Sequence, residues 1–250
     1  MSDTPEERVR LTLIGGFALD VGGAVVDVAD PARRLIAYCA LRRKAQPRLL
    51  VAGSLWPDKT ESRALANLRS ALWTLHSDGG DHPVVAVDGA GLALDPDVDV
   101  DVDRVQVDGW ALIDRARTAA PGAAAGIIAD SALATDRELL FEDLLPGWYD
   151  DWALLERERF AELQVHVLDV LVDALSATER HSLAIHLALR LVALDPLRER
   201  SQVALMQAYV AEGSIGRAAR QHRAFCELLE SSFGRGYARS FVDVLADVGR

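Results

Sequence analysis

The sequence predicts an α+β winged helix-turn-helix over residues 8–103, followed by an all-α, tetratricopeptide-like helical repeat domain over residues 104–250. Three observations lead there. The first hundred residues alternate short strand-like runs with three compact helical patterns. From Arg104 onward the apolar spacing is helical almost throughout. Two stretches in that second half match at an offset of 34 residues.

"VRLTLIG" (Val9–Gly15) alternates apolar and polar residues, as a half-buried strand does. "FALDV" and "AVVDV" follow, joined across Gly22-Gly23, a hairpin turn signal. Asp30-Pro31 then reads as a helix start, with Asp as N-cap and Pro at the first helical position. The helix carries Leu35, Ile36, Cys39 and Ala40 on its inner side. Pro47 opens a second, short helix, "RLLVAGSLW", and Pro57 ends it. Thr60 or Ser62 caps a third, "TESRALANLRSALWTLHSD", whose Leu65, Leu68, Leu72 and Leu75 repeat at spacings of three and four. Its other side carries Arg63, Asn67, Ser70 and Thr74, with Arg69 beside that row. A hairpin follows, with strands Val84–Val87 and Leu92–Leu94 and a turn at Gly89 and Gly91. Sheet, three helices and hairpin together make the layout of a winged helix-turn-helix. In that geometry the third helix lies in the major groove and the hairpin reaches the flanking backbone.

Charge distribution agrees with this layout. The chain is acidic, with a net charge of −11. Pro31–His76 nevertheless holds Arg33, Arg34, Arg42, Arg43, Lys44, Arg48, Lys59, Arg63 and Arg69 against Asp58 and Glu61, a local charge of +7. A basic segment in an acidic chain makes a directed field, not a general affinity for polyanions. Arg63, Asn67, Ser70 and Thr74 therefore have a structural reason to face outward at DNA. The other basic side chains are expected near phosphates.

The run "DPDVDVDVDRVQVD" fits no calcium loop. Counted from Asp97, the sixth and twelfth positions are Val102 and Asp108 where Gly and Glu are needed. Its Val/Asp alternation predicts a strand. Beyond it, helices are expected at Val105–Ala119, Ala123–Ala134, Trp148–Leu175, Glu179–Leu194, Leu197–Ala211, Ile215–Ser231 and Tyr237–Val248. "SLAIHLALRLVALDP" and "GRAARQHRAFCELLE" align so that Ala184 falls on Ala218 and Leu191 on Phe225. A period of 34 is that of tetratricopeptide helix pairs, which stack into a concave protein-binding surface. Trp148 and Trp152 are expected as core anchors, and Cys39 and Cys226 as buried free thiols.

No phosphate-binding, dinucleotide, zinc-protease or nucleophile-elbow motif occurs, and no C-x-x-C. The expectation is no enzyme, no cofactor and no metal. Met1–Arg10 is polar and acidic, and no apolar run reaches membrane-spanning length, so a cytoplasmic protein without membrane contact is expected.

"RLTLIGGFALDVGG", "ARRLIAYCALRRKAQPR", "SLWPDKTESRALANLRSALWTL", "GWYDDWALLERERFAELQVHVLDVLVDAL" and "LVALDPLRERSQVALMQAYVAEGSIGRAARQHRAFCELL" carry a resemblance over about residues 9–245. The chain resembles the small regulators of the Streptomyces antibiotic regulatory protein type. These join a winged helix to a bacterial transcriptional activator domain of tetratricopeptide-like repeats. The resemblance implies a transcriptional activator that binds direct repeats in double-stranded DNA near promoters and contacts RNA polymerase holoenzyme. Side-by-side self-association on DNA is also implied. It further implies that Thr60–Asp78 is the recognition helix, with Arg63, Asn67, Ser70 and Thr74 facing the bases and Arg69 a phosphate or base. One departure is the hairpin tip, Asp88-Gly89-Ala90-Gly91, which carries no positive charge. Two other readings are a protein–protein adaptor whose winged helix no longer binds DNA, and a ligand-responsive regulator.

Overall fold

The computed structural model describes residues 8–78, 84–89, 91–118, 125–134 and 141–234. Packing contacts divide the chain into two compact units. One comprises residues 1–107 with 142–160, the other residues 108–141 with 161–250.

In the first unit, β1 (Val9–Thr12), β2 (Ala18–Val21) and β3 (Ala24–Val26) form an antiparallel meander. Leu11 stands opposite Leu19, and both are buried. Gly22 and Gly23 both take positive φ, as a two-residue hairpin turn of this hand requires. Three helices follow: α1 (Asp30–Arg42), α2 (Arg48–Leu55) and α3 (Glu61–Asp78). The wing is β5 (Val85–Asp88) against β6 (Gly91–Leu94), and the short β4 (Gln46–Pro47) extends it to the order β4-β6-β5.

Two local expectations are corrected. Asp30 is the first residue of α1, not its cap. Ala29 stands at the N-cap with no side-chain hydrogen bond, and Pro31 fixes the first turn instead. The Val/Asp run does not continue as a strand. Only Asp99–Val100 (β7) pairs, in parallel with β1, and helix α4 begins at Asp101 and ends at Thr118. The Asp101 side chain decides this switch. It is 3% exposed, and its carboxylate accepts the N–H groups of Leu13 (2.9 Å), Ile14 (2.9 Å) and Val102 (2.7 Å). The carboxylate at the start of α4 also meets the positive end of the helix dipole. Burial pushes the Asp101 carboxyl above its ordinary range, and the three N–H groups pull it back down.

Residues 142–160 belong to this first unit although they are distant in sequence. Leu145 N–H donates to Leu13 O, Gly15 N–H donates to Asp143 O, and Ile14 and Leu144 form an isolated bridge. The Arg157 guanidinium ties the segment off by donating to the carbonyls of Leu144, Leu145 and Trp148. Trp152, 6% exposed, meets Tyr38 and Trp148 edge-on, as expected of a core anchor.

The second unit is helical: the rest of α4, α5 (Ala125–Ala134), the later part of α6 (Asp151–Ala177), α7 (His181–Leu194), α8 (Glu199–Ala211) and α9 (Ile215–Phe233). The 34-residue offset is structural, because α7 and α9 begin at His181 and Ile215. Ala184 and Ala218 are both buried, and so are Leu191 and Phe225. Gly109 lets α4 and α6 approach closely, since a Cβ there would lie 3.0 Å from Val167 Cγ2. Cys39 is buried, and burial raises its thiol pKa to about 12. Cys226 is only half-buried, 3.7 Å from His222 Nε2, because α9 turns it toward the helix edge. The helix expected at Tyr237–Val248 lies outside the described residues.

Candidate nucleic-acid interface

α3 buries Ala64, Leu68, Ala71 and Leu72 in the first unit. Leu65 and Leu75, expected inside, are half-buried. At 100° per residue the four buried side chains define an inward direction. Arg63, Arg69 and Ser70 are exposed on the other side, whereas Asn67 and Thr74 are half-buried on its flank. Ser70 Oγ donates to Ala66 O (3.2 Å) and Thr74 Oγ1 donates to Ser70 O (3.1 Å). Each hydroxyl proton is thereby used within the helix, so a ligand finds acceptors there. Trp73 is 72% exposed, which settles its position on the outer surface of α3.

The basic residues separate into two groups. Four are ion-paired within the first unit. Arg33 pairs with Asp27 at 2.7 Å and Arg34 with Asp150. Arg42 pairs with Glu156, and Arg43 Nε donates to Asp103 Oδ1 at 2.8 Å. Arg42 also lies over the Tyr38 ring, 5.3 Å from its centroid. Lys44, Arg48, Lys59, Arg63 and Arg69 have no carboxylate partner among the described residues. Lys44, Lys59, Arg63 and Arg69 are exposed and Arg48 is half-buried. The local +7 thus overstates the outward field, because carboxylates outside Pro31–His76 compensate four of its nine cations, three of them from distant segments. Nothing in the sequence marks Asp150 or Glu156 as partners of α1, since each pair spans more than a hundred positions.

The Arg42 pairing carries its own expectation. Glu156 is 9% exposed and is held by Arg42 and, at 2.7 Å, by Arg159. Arg42→Ala leaves Glu156 with one partner and uncovers Tyr38. It should lower stability by about 1–2 kcal/mol, measured as a shift in the urea midpoint followed by tryptophan fluorescence. An unchanged midpoint with equally weakened binding to specific and random duplexes would make Arg42 a phosphate contact instead.

Among the described residues no three His, Cys, Asp or Glu side chains form a metal-sized group, and no helix is long and apolar enough to cross a membrane. The acidic wing tip, with the Asp88 side chain and residue 90, lies outside the described residues.

The profile of the bacterial transcriptional activator domain matches residues 100–244. No curated protein matches the chain in sequence. Among solved structures, the chain is similar to Mycobacterium tuberculosis EmbR, determined in complex with a low-affinity phosphopeptide. The TM-score is 0.74 at 22% identity, over 94% of this chain and 64% of that one. The chain thus spans less than two thirds of that protein, and the likeness is one of fold. With the winged-helix layout in front of a matched domain that covers more than half of the sequence, the chain belongs to the bacterial transcriptional activator domain family, in the arrangement of the Streptomyces antibiotic regulatory protein type of transcriptional regulator.

Proposed function

We propose that this regulator is a sequence-specific DNA-binding activator. Residues 8–103 bind DNA, and residues 104–250 form the activator domain. α3 enters the major groove, and two copies occupy direct repeats at promoters, where they recruit RNA polymerase. The observation that carries the reading is the outer surface of α3, where Arg63, Arg69 and Ser70 are exposed and neither arginine has a carboxylate partner among the described residues. Arg63 supplies a bidentate donor fork for a guanine edge, Asn67 and Thr74 line the flank, and Lys44, Arg48 and Lys59 approach phosphates.

The test is selection of fragmented genomic DNA by the purified protein, repeated with Arg63→Ala. A motif upstream of genes should be enriched. Arg63→Ala should weaken binding to it by about 1–3 kcal/mol while leaving random duplex nearly unchanged. Equal losses on both would remove Arg63 from base reading. With three or four phosphates neutralised by Lys44, Arg48, Lys59 and Arg69, log K against log salt should fall with a slope of roughly −3 to −4. A protein adaptor would bind no duplex at any salt.

The ligand-responsive reading has one observation in its favour. The first unit holds an open cleft of about 930 Å³ whose walls include Trp56, Trp148, Tyr149, Arg34 and Asp58. A ligand seated there should raise the unfolding midpoint of the first unit.

A further inference from the structure

The direction opposite the buried face of α3 is not the direction of the Arg63–Asn67–Thr74 row. Counted at 100° per residue from the mean of Ala64, Leu68, Ala71 and Leu72, the outward direction passes within roughly 25° of Ala66 and Trp73 and roughly 35° of Ser70. Arg69 lies roughly 65° to one side and Arg63 roughly 55° to the other, while Asn67 is roughly 95° away. Trp73, Ser70, Arg69 and Arg63 are exposed on this side, while Ala66 and Asn67 are half-buried. Any rigid surface that meets α3 squarely therefore meets Trp73 first, with a guanidinium on either side.

Resting on the DNA-binding reading, we propose that Trp73 is the central apolar reader of α3 and that its indole packs on the methyl group of a thymine. The chemistry leaves little choice of partner. Base edges in the major groove are donors and acceptors except for one apolar feature, the thymine C5-methyl. An indole offers a large, rigid, mostly apolar surface with only two side-chain torsions to fix. Ala66, one to two turns earlier on the same stripe, is small enough to let the helix backbone come close. Ser70 contributes lone pairs, because its proton is already given to Ala66 O. Arg63 and Arg69 flank the stripe and supply the charge that holds it in the groove. The Arg63–Asn67–Thr74 row then reads the edge of the site, and the centre of the site contains an A·T pair.

The experiment uses the full chain and the DNA motif enriched by it. Each thymine is replaced in turn by deoxyuridine, which lacks only the methyl, and affinity is measured for the parent, Trp73→Ala and Trp73→Phe. The parent should lose about three- to tenfold at one position. Trp73→Ala should bind the intact motif about tenfold or more weakly, bind random duplex within about threefold of the parent, and be indifferent to deoxyuridine at that position. Trp73→Phe keeps a ring and should retain most of the affinity and the methyl dependence, which separates a lost contact from a lost fold. Trp73→Ala binding the motif as tightly as the parent, or keeping the parent's full deoxyuridine sensitivity, would overturn the proposal while leaving DNA binding intact. Failure of the parent to enrich any motif would overturn the DNA-binding reading and the role of Trp73 with it.

Discussion

Asp169→Ala should lower the stability of the helical unit by about 2–4 kcal/mol, read as an earlier urea midpoint in the far-ultraviolet helix signal. Asp169 on α6 is 8% exposed and receives a two-pronged bond from Arg198, at 2.9 and 2.6 Å, just ahead of α8. Arg200 approaches it at 3.4 Å. The bond to Asp169 is the main reason the Arg198 guanidinium holds its proton beyond its ordinary range. Removing the carboxylate leaves the Arg198 guanidinium with Ser201 Oγ, 3.0 Å away, as its remaining hydrogen bond among the described residues. Because the Arg198 side chain keeps 24% of its surface in water, the loss should fall below that of a fully buried orphan charge. Arg200 retains Asp173 at 2.9 Å, so Arg200→Ala should cost far less. A midpoint unmoved by Asp169→Ala would mean that the pair's desolvation cancels its attraction.

Asp101→Asn should lower the stability of the winged-helix unit by about 2–4 kcal/mol, although the substitution changes almost no volume. Leu13 N–H contacts both carboxylate oxygens, Ile14 N–H uses one and Val102 N–H the other. An amide can accept at only one of these positions and turns an N–H toward a buried N–H at the other. Three charge-assisted bonds would suggest a larger loss, but burial already disfavours the ionised carboxyl, and that penalty disappears with the charge. Tryptophan fluorescence reports this unit well, since Trp56, Trp73, Trp148 and Trp152 all belong to it. Should the fluorescence midpoint stay in place, the switch from strand to helix at Asp101 would rest on the neighbouring valines, not on this carboxylate.

The architecture was legible because it depends on local periodicity. The two-residue alternation of "VRLTLIG", the Gly22-Gly23 turn, the proline-bounded α2 and the leucine spacing of α3 each need only a few neighbours to show themselves. The 34-residue offset of α7 and α9 is legible for the same reason, since the same small and large residues recur where helices stack. Tertiary structure alone decided the rest. Asp101 belongs to an alternating run that reads as strand. It starts a helix because Leu13 and Ile14, nearly ninety positions earlier, present N–H groups that need an acceptor. Residues 142–160 read as the entry to a helical domain, yet Leu145 N–H bonds to Leu13 O and Asp143 O accepts from Gly15 N–H, just past β1. Arg34 and Arg42 read as free cations of a basic patch, and only folding brings Asp150 and Glu156 to them. Local spacing showed that α3 has an outer side. Which residues stand at its centre depended on the buried Ala64, Leu68, Ala71 and Leu72, and these turn Trp73 outward and Asn67 to the flank. A helix pattern is a sum over near neighbours, whereas its rotation and the pairing of its charges depend on partners that sequence order keeps far apart.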